Sequence, residues 1–126
     1  MIEKATFKTP PPPNFDVPIV HKITKLYKDV YGLGSKISKR NKFGIYLKVE
    51  NICLDLISIS IDAALNQKDA KRPLLHQLRI KIETLKQLIR AMNELKMIEN
   101  KAYIVLETQL QEISRMAAGW IKYVET

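Results

Sequence analysis

Apolar residues recur at intervals of three and four along most of this chain, the spacing that lines up one face of an α-helix. From Val17 onward, Val20, Ile23, Tyr27, Val30, Gly34 and Ile37 share such a face, and Pro18 suits a first turn, where its missing N–H would be unpaired anyway. Gly32 and Gly34 weaken the end of this helix, and "SKRNK" (38–42) reads as the turn after it. A second segment runs from Phe43 to Leu65. Its polar positions, Gly44, Lys48, Asn51, Asp55, Ser58, Asp62 and Asn66, fall on one narrow helical line, and most of the remaining circumference is apolar. "LDLISISID" partly alternates and its isoleucines favour strands. A strand there would lack flanking turns and a partner strand, so a helix is expected.

"NQKDAK" (66–71) reads as a loop, and Pro73 as the first turn of a third helix whose Leu75, Leu78, Ile82, Leu85, Ile89 and Met92 form a seam. A fourth helix begins near Glu99 or Asn100, with Tyr103, Leu106, Leu110, Ile113, Ala117, Trp120 and Val124 in strict 3–4 alternation. That alternation suits packing at about +20° in a bundle. The pattern predicts an all-α domain over 17–126, an up-down-up-down antiparallel four-helix bundle, since short connections force neighbouring helices to run antiparallel. Residues 1–16 read as a tail in which Pro10 to Pro13 favour polyproline II; a spacer is the simplest reading, an SH3-type ligand the rival.

Two faces are left over. With Val49, Ile52, Leu56, Ile59 and Ala63 turned to the core, Leu47, Leu54, Ile57, Ile61 and Leu65 remain on another flank of the second helix. Such a patch in water is an aggregation liability, which implies a second apolar contact, most simply another copy of the chain. The alternative is a central helix flanked on both sides within one chain. The other face is basic. Arg72, His76, Arg79, Glu83, Lys86 and Arg90 step by threes and fours along one side of the third helix, opposite its leucine seam. Lys36, Lys39, Arg40, Lys42 and Lys48 form a second cluster with no acid between 36 and 48.

Composition sharpens this picture at one point. The formal net charge is +8, which on a folded domain points to a polyanionic partner, nucleic acid first. A soluble basic protein without such a partner is the plainer alternative. No apolar run approaches a membrane span, the N-terminus lacks the apolar stretch of a signal peptide, and the single Cys53 sits among apolar neighbours, so a cytoplasmic protein is expected.

Catalytic chemistry finds little footing. His21 and His76 lie on different helices, neither with a second ligand-type residue at helical spacing, and Asp55 and Asp62 stand almost two turns apart. Cys53 lacks an adjacent histidine, and "YGLGSK" lacks the strand that would make a phosphate loop of it. Neither an enzyme, a metal, a cofactor nor a small-molecule substrate is expected.

"KRNKFGIYLKVEN" (39–51), "RPLLHQLRIKIETLKQLIRAMNEL" (72–95) and "ISRMAAGWIK" (113–122) resemble the accessory variability determinant proteins, Avd, of diversity-generating retroelements. The most specific part is the Arg-Met…Gly-Trp-Ile-Lys ending; where the family commonly has two glycines before the tryptophan, this chain has Ala118 and Gly119. The resemblance implies a basic, non-catalytic four-helix bundle assembled as a barrel-like homopentamer. It also implies binding to a reverse transcriptase and its template RNA in support of error-prone copying. The runner-up is the related four-helix type encoded in 23S ribosomal RNA intervening sequences, with a structural or general nucleic-acid-binding role. In that frame Ala117 and Gly119 would admit a close helix and Trp120 would fill the space beside them; a lone tryptophan in an ordinary monomer core is the alternative.

Overall fold

The computed structural model describes residues 17–126; the expected proline-rich tail, 1–16, lies outside the described residues. Its elements are α1 (Pro18–Gly32), a 3₁₀ turn (Gly34–Lys36), a short α2 (Lys39–Lys42), α3 (Ile45–Leu65), α4 (Lys68–Glu94) and α5 (Asn100–Glu125), with no strand among the described residues. The four long helices form a bundle in which α1 packs on α3, α3 on α4, α4 on α5 and α5 back on α1. "LDLISISID" is helical, so the strand alternative falls.

Each long helix contributes one buried stripe, though the register differs from the expected one in places. On α1 the buried side chains are Ile19, Ile23, Leu26 and Val30, while Val20 and Tyr27 are half-buried on the neighbouring flank. The reason is that α1 must serve two neighbours. Lys22 pairs with Glu112 at 3.3 Å and Asp29 accepts from Gln109 at 2.8 Å on the α5 side, which turns the core-facing line between α3 and α5. On α3, Tyr46, Cys53 and Ser60 join Val49, Ile52, Leu56 and Ala63 inside, and Ile59 is only half-buried. On α5, Ile121 rather than Trp120 completes the seam of Leu106, Leu110, Ile113, Ala117 and Val124, and Tyr103 is half-buried. The α4 seam is as expected.

Two element boundaries differ as well. "SKRNK" is not a plain turn: Ser38 accepts from the Asn41 N–H at 3.4 Å and caps the one-turn α2. α4 starts at Lys68, five residues before Pro73. The extra turn is held because Lys71 donates to the Ala63 and Asn66 carbonyls, both at 2.6 Å, and so satisfies acceptors that the end of α3 leaves unpaired. Pro73 removes the N–H that would bond the Asp69 carbonyl, at a position exposed to solvent. At the far end of α4, Lys96 adopts φ 59° and the Met97 N–H reaches the Met92 carbonyl at 2.9 Å, a left-handed stop that turns the chain into α5.

The exit from α1 depends on Tyr46. Its buried hydroxyl donates to the Val30 carbonyl at 2.8 Å, with the Tyr31 carbonyl at 3.3 Å, so α3 binds the last turn of α1. Burial and the nearby Glu50 push the phenol up to about 12. Gly34 lies against that hydroxyl, and a Cβ there would stand 2.9 Å from Oη but 3.6 Å from the next ring atom. Hence the phenol oxygen alone demands the glycine. Tyr46→Phe costs about 1 kcal/mol, and Gly34→Ala is destabilising in the native chain. In Tyr46→Phe the alanine is accommodated, so urea unfolding of the double variant shows a cost well below the sum of the single ones.

The small-residue run near the C-terminus also differs from expectation. Ala117 is buried, but Gly119 is exposed with nothing within 4 Å of a Cβ placed on it, so no other described helix approaches there. Trp120 is half-buried against the core. Trp120→Ala therefore costs about 2 kcal/mol, below the ~3–5 of a fully buried aromatic. Gly119→Ala stabilises the fold by up to about 1 kcal/mol, as an open helical site should; calorimetry on both variants checks this.

Candidate nucleic-acid interface

Helical spacing gathers the α4 cations, and bundle packing decides where they face. Contacts from His76 and Lys86 to α5 place the stripe on the α5 flank of α4, not directly opposite the seam. Nε2 of His76 lies 3.8 Å from Glu125, and Lys86 donates to Ser114 and to Glu83, each at 3.1 Å. Arg72, Arg79 and Arg90 are exposed, and no hydrogen bond or ion pair holds them among the described residues. Free guanidinium forks suit phosphate, which they grip through two parallel hydrogen bonds.

Beside the stripe, Ser114, Ala117 and Ala118 keep α5 thin and leave a groove of about 290 Å³, bordered by Arg79, Lys122, Glu83 and Glu125. Lys122 escaped the sequence reading, as did exposed Arg115; their seven-residue spacing, two helical turns, is the signal that would have found them. Glu125 adds a second acid beside Glu83, so the stripe is less purely positive than α4 alone suggests.

The second cluster gathers at the end of the bundle where α1 stops and α3 begins. Lys36 sits on the 3₁₀ turn, Lys39, Arg40 and Lys42 on α2, and Lys48 in the first turn of α3, all exposed and, among the described residues, outside any ion pair. Lys36 also shares a cavity of about 450 Å³ with Lys96 of the α4–α5 turn, so cations distant in sequence meet there.

The apolar flank of α3 is open along the chain. Leu47, Leu54, Ile61 and Leu65 are 41%, 44%, 37% and 49% exposed, and Ile57 is half-buried. Gly119 and Trp120 do not join this strip, because α5 is not a neighbour of α3 in the ring. The two candidate packing surfaces are therefore separate.

The chemical candidates are placed as structural groups. Asp55 pairs with Lys81 of α4 at 3.4 Å, and Asp62 accepts from Asn66 at 2.6 Å. Burial, with Glu50 nearby, pushes the Cys53 thiol up to about 12, far from a reactive thiolate. His21 and His76 stand on α1 and α4, which are not neighbours in the ring. Among the described residues no group of three or more His, Cys, Asp or Glu is placed to hold a metal ion, and no helix is long and apolar enough to cross a membrane.

No curated protein matches the chain. A family model described as bAvd-like does, over residues 17–124, which takes in all four long helices and both basic clusters. The chain belongs to the bAvd-like family of Avd-type proteins.

Proposed function

We propose that this chain is a non-catalytic, cytoplasmic accessory scaffold of a diversity-generating retroelement, which binds the element's reverse transcriptase and template RNA and supports mutagenic copying. The observation that carries this reading is the set of exposed arginines, Arg72, Arg79 and Arg90, which have no partner among the described residues and run along most of α4 on a chain of net charge +8. A field of that sign attracts a polyanion without regard to its sequence, as an accessory of nucleic-acid copying requires. The exposed flank of α3 supports self-association, and in the proposed homopentamer each copy adds its basic face to a common surface.

Two variants test the face. Arg79→Glu/Lys86→Glu/Arg90→Glu abolishes RNA retention and capture of the polymerase. Arg72→Gln/Arg79→Gln/Arg90→Gln removes no partner among the described residues, so it leaves the thermal midpoint in place. It lowers the slope of log K against log salt by about 0.7 for each phosphate that is no longer neutralised. Retention of RNA and polymerase by both variants would move the interface elsewhere. A native mass of five times 14.5 kDa is the expected assembly.

A further inference from the structure

A cavity of about 650 Å³ opens at the corner where α1 ends and α3 begins, and its lining includes Tyr31, Lys42, Phe43, Tyr46, Leu47 and Glu50. Two of these are large aromatic faces turned to solvent: Tyr31 is 66% and Phe43 76% exposed. Neither is needed by the core. Tyr31 is braced by Tyr27, whose ring lies 6.2 Å away and tilted by 45°. Phe43 is set by its backbone position between α2 and α3. The rings are thus held at the cavity's edge by elements on either side of it.

The surroundings are cationic. Lys42 lines the cavity, Lys36 follows its lining residue Ser35 on the 3₁₀ turn, and Lys39 and Arg40 share the one-turn α2 with Lys42; among the described residues none of the four makes an ion pair. Inside the cavity the chemistry changes sign, since Glu50 is half-buried there. The Tyr46 hydroxyl is already committed to backbone carbonyls and its ring is buried, so the polar group at the floor is the Glu50 carboxylate beside it. A phosphate would be repelled by that carboxylate and attracted by the rim. A nucleobase fits the inverse arrangement: a π-face for the aromatic rings, an exocyclic amino group for Glu50, and its own phosphates on the lysines and arginine outside.

We propose that this cavity is a stacking site for an unpaired base of single-stranded RNA, with the backbone held by Lys36, Lys39, Arg40 and Lys42. The inference rests on the RNA-binding reading above and specifies its ligand: unpaired strand, not duplex, because a paired base cannot present its face to Tyr31 or Phe43. Leu47 joins this cavity to the exposed strip of α3, but a second copy that reached past it into the corner would bring its own positive charge against Lys36, Lys39, Arg40 and Lys42, which makes it the poorer occupant.

The test is fluorescence anisotropy with a short single-stranded RNA and with the same RNA annealed to its complement. Tyr31→Ala and Phe43→Ala each lower single-strand affinity about 10-fold, the effect of losing one base–aromatic stack. They leave duplex affinity and the salt slope unchanged, while Tyr31→Phe keeps native affinity. Lys39→Gln/Arg40→Gln/Lys42→Gln lowers the salt slope. Both aromatics are exposed, so the variants fold, and circular dichroism checks that they do. Native single-strand affinity in Tyr31→Ala/Phe43→Ala overturns the proposal. So does an equal loss on duplex, or a change in assembly mass in place of affinity, which would make the corner a contact between copies. If the native protein binds neither RNA, the RNA-binding reading itself fails.

Discussion

Helix α3 carries more apolar surface than a four-helix interior can enclose, and the rest of the architecture answers to that excess. One flank, from Tyr46 to Ala63, meets α1 and α4 and supplies the core. Among the described residues the opposite flank has nothing to pack on, because a helix in a ring of four has two neighbours and an outside. Leu47, Leu54, Ile61 and Leu65 keep roughly two-fifths of their surface in water. Covering that remainder gains about 1 kcal/mol per side chain, a contribution from each copy toward the cost of association. The self-association proposed above would cover this flank.

Charge is arranged around that apolar strip and avoids it. Arg72, Arg79 and Arg90 lie on the α5 side of α4 and not on its α3 side, and the second cluster sits at the end where α2 caps the corner. Association along the strip therefore leaves the guanidinium groups accessible. Cations inside the fold have structural work: Lys71 closes the end of α3, and Lys86 joins α4 to α5. The distinction between held and unheld cations follows from the packing angle of each helix.

The four helices, the α4 seam and the open α3 flank were legible in the sequence because each depends on spacing along one helix. What depended on two helices was not. The one-residue rotation of the α1 stripe, to Ile19 and Leu26 from Val20 and Tyr27, reflects where α3 and α5 stand, which periodicity does not encode. Ile121 displaced Trp120 from the seam for the same reason. The start of α4 at Lys68 was hidden because Pro73 resembles a first turn, and the bond that keeps the earlier turn comes from Lys71 to another helix. For the candidate interface, exposure of the basic residues other than half-buried Lys86 was legible, whereas the entry of Lys122 and Glu125 beside α4 required the α4–α5 contact. Gly119, whose helical cost of about 1 kcal/mol suggested a close neighbour, faces open space in the chain.

The most direct measurement is light scattering of the native chain at micromolar concentration beside Leu54→Lys/Ile61→Lys, whose substitutions fall on exposed positions and spare the core. The account requires an assembly of several 14.5 kDa chains for the native protein and single chains for the variant. Single native chains, or an assembly untouched by lysines in the strip, would contradict it.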